Sequence, residues 1–242
     1  MLKTAVAAGA ALVALAFALS TYERWLERRR RHEAAWTAAL AMFCLASGAL
    51  AAGSQLGWTP LSFRIFYLFG AILNVPFLAL GTIYLLAGPR RGDRVAAVLV
   101  VAGAFAAGVL TVAPFTSHLD PDTLPRGSEV FGALPRALAA VASSGGALVI
   151  FGGAVWSAVR IRRGRAVIAN GLIALGTLVL AASGLLNSVL GEMTAFALSL
   201  LAGITVLFVG FLVATGGATE GPTAIPAGAA SHPAPSAVSR RT

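Results

Sequence analysis

Residues 5–20, AVAAGAALVALAFALS, run directly into residues 21–32, TYERWLERRRRH. The first stretch is apolar throughout. The second carries Arg24, Arg28, Arg29, Arg30 and Arg31. A secretory leader also puts an apolar run near the N-terminus, and Ala18-Leu19-Ser20 loosely resembles a cleavage site. Cleavage would require the five arginines to be exported, against the bias that keeps Lys and Arg on the cytoplasmic side. The segment therefore reads as a retained membrane helix with its N-terminus outside.

Moving outward from it, a bilayer-crossing helix needs about 20 mostly apolar residues. Beyond Ala5–Ser20, six more stretches qualify: Ala34–Gly53, Leu61–Ala87, Val95–Phe115, Ala137–Ser157, Ala166–Leu190 and Thr194–Ala214. Composition agrees. Of 242 residues, 58% are hydrophobic and 11% charged, against roughly 45–50% and 25% in soluble domains. Mean hydropathy is +0.84. A soluble globular domain, a disordered chain and a disulfide scaffold are excluded. The expected fold is all-α: a polytopic membrane bundle of seven transmembrane helices over residues 1–214, N-terminus outside and C-terminus cytoplasmic.

The basic residues fix that count. With seven spans, the inner segments hold Arg24 and Arg28–Arg31, then Arg90, Arg91 and Arg94, then Arg160, Arg162, Arg163 and Arg165, then Arg240 and Arg241. Lys3, Arg64, Arg126 and Arg136 are left outside, where Asp120, Asp122, Glu129 and Glu192 balance them. The whole net charge of +9 thus lies on the cytoplasmic face. An anionic inner leaflet is partner enough for it, and no nucleic acid is implied. Trp25, Trp36 and Trp156 fall at inner boundaries and Trp58 at an outer one, as interfacial rings do. The expected location is the plasma membrane.

One connection is long: residues 116–136, TSHLDPDTLPRGSEVFGALPR. Its His118, Asp120 and Asp122 are metal-ligand residue types, but their spacing matches no metal signature and reads as a turn. The tail 215–242, rich in Ala, Pro, Gly and Ser, is expected to be disordered. Cys44, the single cysteine, can form no internal disulfide and reads as a small hydrophobe.

A faint repeat appears at an offset of 136 residues. Ala11-Leu12-Val13 matches Ala147-Leu148-Val149, Thr21 meets Ser157, Arg24 meets Arg160, and Ser47-Gly48 meets Ser183-Gly184. Two parallel three-span repeats around a lone fourth span, an arrangement found in some transporters, would produce this. Alanine-rich apolar sequence also produces such matches by chance.

The span interiors contain no Asp, Glu, Lys, Arg or His. That removes the lysine of a retinal Schiff base, clustered zinc ligands, axial histidines for haem and a carboxylate proton chain. No nucleophile–base pair is visible. No catalytic residue, metal or cofactor is assigned.

The remaining polar groups gather toward the outer half. Arg64, Tyr67 and Asn74 share a face of the third span at about 100° per residue, and Pro76 should kink it and free the carbonyl one turn earlier. Asn74 either lines a cavity or bonds a neighbouring helix. Ser183 and Asn187 lie near one face of the sixth span, and Gln55 and Glu192 sit at outer ends. Gln55, Arg64, Tyr67, Asn74, Ser183, Asn187 and Glu192 are the candidate ligand-binding residues, with Pro76 the kink and Arg64–Glu192 an expected ion pair. They would form an outward-facing pocket between helices 2, 3, 6 and 7 for a small neutral or amphipathic solute, lidded by the 116–136 loop. The alternative is a non-catalytic accessory, scaffold or sensor-like subunit whose small-residue faces (Gly103 with Gly108, Gly145-Gly146, Gly152-Gly153) bind a membrane partner.

Overall fold

A computed structural model describes residues 2–117, 125–160, 164–190 and 193–215. Its long helices are α1 (Leu2–Arg28) and α2 (Arg31–Leu56), then α3 (Pro60–Phe66), which runs through a π-helical stretch (Tyr67–Leu73) into α4 (Asn74–Ala87). They continue with α5 (Pro89–Val112), the short α6 (Gly127–Val130), α7 (Ala133–Arg160), α8 (Gly164–Leu190) and α9 (Met193–Thr215). Among the described residues there is no strand, and six helices are long and apolar enough to cross a bilayer. The span from Pro60 to Ala87 is one of them, and the described apolar part of α8 is Val167–Leu180. This is the architecture of a multi-pass membrane protein.

The helix ends follow from local chemistry. Thr59 and Ser62 form a capping box before α3, with Pro60 in the first turn, satisfying donors that no intrahelical carbonyl can reach. Gly57 (φ 86°) and Gly88 (φ 82°) take the left-handed turns that end α2 and α4, conformations that cost glycine little. The turn between α1 and α2 uses Arg29 at φ 52° instead. Its N–H donates to the Trp25 carbonyl at 2.8 Å, and its guanidinium lies 5.2 Å from the Trp25 ring centre.

Six helical segments make a closed ring. α1 packs on α2, α2 on the α3–α4 span, that span on α7, α7 on α8, α8 on α9, and α9 returns to α1. α5 stands outside the ring, against the α3–α4 span and α7 alone among the larger contacts. It exposes Val98, Val101 and Phe105, as a helix facing lipid would. The two halves of the ring share a detail. Thr37 Oγ1 donates to Thr21 Oγ1 at 3.0 Å across the α1–α2 hairpin, and Asn170 Nδ2 donates to Ser157 Oγ at 2.9 Å across the α7–α8 hairpin. Thr21 and Ser157 are the residues that the 136-residue offset aligns.

Close backbone approach holds the ring. A Cβ on Gly146 of α7 would lie 2.9 Å from the Val75 carbonyl carbon and oxygen, and one on Gly176 of α8 2.8 Å from the Leu207 nitrogen of α9. Glycine at such points lets helices exchange dispersion contacts at short range, the main packing force between spans.

Pro76 widens its helix where the sequence predicts a kink. The Asn74 N–H donates to the Phe69 carbonyl, five residues back. Pro76, two residues further on, brings no backbone donor to the turn where the π register gives way to α4. Ser143 of α7 supplies a side-chain donor there, its Oγ donating to the Ala71 carbonyl at 2.6 Å.

Candidate functional site

The two ends of the ring differ. At one end the helix-connecting segments carry Arg28–Arg31, Arg90, Arg91, Arg94 and Arg160. There Arg31 pairs with Asp93, and Tyr84 Oη donates to the same carboxylate at 2.9 Å, tying the α1–α2 turn to the start of α5. The opposite end is filled with rings. Phe63, buried, stacks on Phe131 at 5.5 Å between centroids, and Trp58, Phe66, Tyr67 and Phe115 pack around them. Thr116 ties this end together, its N–H donating to the Val130 carbonyl at 2.9 Å and its Oγ1 to the Glu129 carbonyl at 2.6 Å.

A cavity of about 350 Å³ lies inside the ring at the arginine-rich end. All six helical segments of the ring line it. α1 supplies Phe17, Arg24 and Arg28, the turn Arg30, α2 His32, Glu33 and Trp36, and α4 Leu78, Thr82, Leu85 and Leu86. α7 adds Ile150, Gly153, Ala154 and Ser157, α8 Asn170 and Ile173, and α9 Leu207 and Phe211. Its volume is at the small end for a ligand site.

Each wall is fixed by a specific contact. Trp36 Nε1 donates to the Leu78 carbonyl at 3.2 Å, holding the indole flat against α4. A Cβ on Gly81 would overlap that indole. A Cβ on Gly153 would lie 2.6 Å from Thr82 Cγ2, so the seam between α4 and α7 admits no side chain there. Arg24 lies 5.2 Å from the centre of the Phe211 ring, which meets Trp36 edge-on at 6.1 Å. Ser157 and Asn170 put a hydroxyl and an amide into an otherwise apolar interior.

Glu33 is the exception among these groups. It is 4% exposed, and its Oε2 is buried with no hydrogen-bond partner among the described residues. Its Oε1 lies 4.0 Å from His32 Nε2. Three arginines and one carboxylate thus border a chamber whose walls are mostly aliphatic and aromatic. The arrangement suits an amphiphile with a charged head at the mouth and an apolar tail between Phe17, Leu78, Ile150 and Leu207.

The residues singled out from the sequence are distributed differently. Gln55 is exposed in the last turn of α2. Arg64 donates from Nη2 to the Ala113 carbonyl at 3.0 Å and lies 4.7 Å from the Phe115 ring centre, closing the negative end of the α5 dipole. Tyr67 is buried among rings and packs on Gly127, where a Cβ would lie 2.5 Å from its Cε2. Asn74 is buried at the first position of α4, 8% exposed. Pro76 sits at the π-helical stretch. The side chains of Ser183 and Asn187 and the whole of Glu192 lie outside the described residues, as do His118, Asp120, Asp122 and the tail from 216. The described candidates do not line the cavity; Arg24, Glu33, Trp36, Ser157 and Asn170, which do, were not singled out as ligands. Their signal was faint: an acid inside a basic run, and polar groups near the inner ends of spans 5 and 6. No family model, no curated protein and no solved structure matches this chain.

Proposed function

We propose that the chain is a seven-span plasma-membrane protein, N-terminus outside, that binds a small amphipathic solute in its central cavity without chemistry of its own. α8 is the seventh span: its 27 residues reach about 40 Å at 1.5 Å per residue. The arginine-rich end is cytoplasmic, by the positive-inside bias, so the cavity opens inward. The observation that carries the reading is a ring of six helices around one chamber, with Arg24, Arg28 and Arg30 at its mouth and apolar walls behind. The aligned Thr21 and Ser157 each bond across their own hairpin, which supports two parallel halves, an arrangement from which a carrier can rock about a central site. The protein is therefore read as a carrier rather than a scaffold.

The test is equilibrium binding of short-chain amphiphiles to the purified full-length protein in a nonionic detergent. Thr82→Phe places a ring inside the chamber and should abolish binding while leaving the helical content unchanged. Binding that survives Thr82→Phe in the folded variant would refute the cavity as the site.

A further inference from the structure

The mouth of the cavity holds both signs of charge, unpaired with each other. Arg24, Arg28 and Arg30 line it with Glu33. Among the described residues, no arginine lies within salt-bridge distance of the Glu33 carboxylate. Glu33 Oε2 faces no donor although the residue is 4% exposed. A buried carboxylate oxygen without a donor is costly, and a cation brought beside that carboxylate by a ligand would offset that cost. An anionic head alone would meet the arginines but sit beside the carboxylate. A cationic head alone would meet Glu33 but face three guanidinium groups.

We propose that the ligand is a single-tailed amphiphile whose head carries an ammonium and an acidic group together. The ammonium pairs with the Glu33 carboxylate, and the anion is held by the guanidinium groups of Arg24, Arg28 and Arg30. The tail enters between Phe17, Leu78, Ile150 and Leu207. A chamber of about 350 Å³ accommodates one short tail. This inference rests on the cavity reading above.

Four probes with the same hexyl tail separate the possibilities: hexyl phosphoethanolamine, hexyl phosphate, hexylammonium and hexyl glucoside. Each is titrated by calorimetry into the full-length protein in a nonionic detergent. The phosphoethanolamine should bind about tenfold tighter than the phosphate, the size of one charge-assisted hydrogen bond to a buried group. Glu33→Gln should erase that preference and leave the phosphate bound at least as well. Arg28→Gln should weaken both. Equal or tighter binding of hexyl phosphate by the unmodified chain would overturn the proposal while leaving the cavity reading intact. Failure of all four probes, or binding insensitive to Thr82→Phe, would overturn the cavity reading itself. Should Glu33→Gln not fold, the ranking of the probes on the unmodified chain still decides. Phosphoethanolamine without a tail should bind far more weakly, and two-tailed dihexanoyl phosphatidylethanolamine should also bind less well. Parity of the tail-less head would refute the amphiphile, and parity of the two-tailed lipid would refute the single tail.

Discussion

Replacing Ser143 with alanine tests the account of the π-helical stretch. Ser143 Oγ is 2.6 Å from the Ala71 carbonyl, in the turn to which Pro76 brings no backbone donor. Interhelical hydrogen bonds in membrane proteins average about 0.6 kcal/mol and reach about 1.7. A buried carbonyl left unsatisfied costs about 1–3 kcal/mol. The unfolded chain within the membrane or micelle also finds partners, so the lower part of that range applies. Ser143→Ala should therefore cost about 1 kcal/mol. Pro76→Ala restores a backbone N–H at position 76, which can serve the same carbonyl. In that background Ser143→Ala should cost about 0.3 kcal/mol or less, leaving a coupling near 0.7 kcal/mol. The assay is reversible unfolding of the full-length chain in mixed micelles as the SDS fraction rises, followed by circular dichroism. Equal costs in the two backgrounds would refute the reasoning, because Ser143 would then be acting independently of the missing donor.

Gly146→Ala should destabilise by about 1–3 kcal/mol in the same assay, the cost of overpacking, because its Cβ would press on the Val75 backbone rather than on a side chain that can turn away. An unchanged transition would mean that α7 and α4 stand further apart. Arg64→Met should cost about 1 kcal/mol or less, since Arg64 is half-buried and screening weakens its bond to the Ala113 carbonyl. Thermal melts at low and high salt check this: the loss should shrink as ionic strength rises, and a salt-independent loss would point to packing on Phe115 alone. For topology, Cys44→Ser provides a cysteine-free background. Arg126→Cys should then react with a membrane-impermeant maleimide in intact cells, and Arg91→Cys only after permeabilisation. The reverse pattern would invert the orientation.

Much of the fold was legible because membrane helices obey a local rule. A run such as Val95–Phe115 is apolar over the thickness of a bilayer whatever surrounds it, and the arginines beside Trp25 and Trp156 mark their end of the bundle without reference to any other helix. The cavity was not legible, because it exists only when α9 returns to α1, a contact between residues far apart in the chain. The helical face shared by Arg64, Tyr67 and Asn74 assumed about 100° per residue. The π-helical stretch from Tyr67 to Leu73 breaks that angle between Tyr67 and Asn74, so the outer polar cluster drawn on an ideal helix does not carry over. Pro76 was readable as a disturbance, yet the side-chain donor to the Ala71 carbonyl comes from Ser143, far downstream. Glu33 carries no mark in the sequence beyond Trp36 one turn on, which places it near the mouth of a span.

The peripheral position of α5 has a bearing on how such a chain can be assembled. Three consecutive crossings start on one side of a membrane and finish on the other, so two such trios pointing the same way cannot be joined by a loop. On the seven-span reading proposed above, a spare passage through the lipid has to bring the polypeptide back, and α5, resting against two neighbours with Val98 and Val101 turned outward, would be that return journey. It follows that an unrelated leucine-rich span of equal length should substitute for most of α5 once the Arg31–Asp93 contact at its start is kept. It also follows that residues 1–87 and 133–242, supplied as separate polypeptides, should find each other in the same cell and rebuild the chamber.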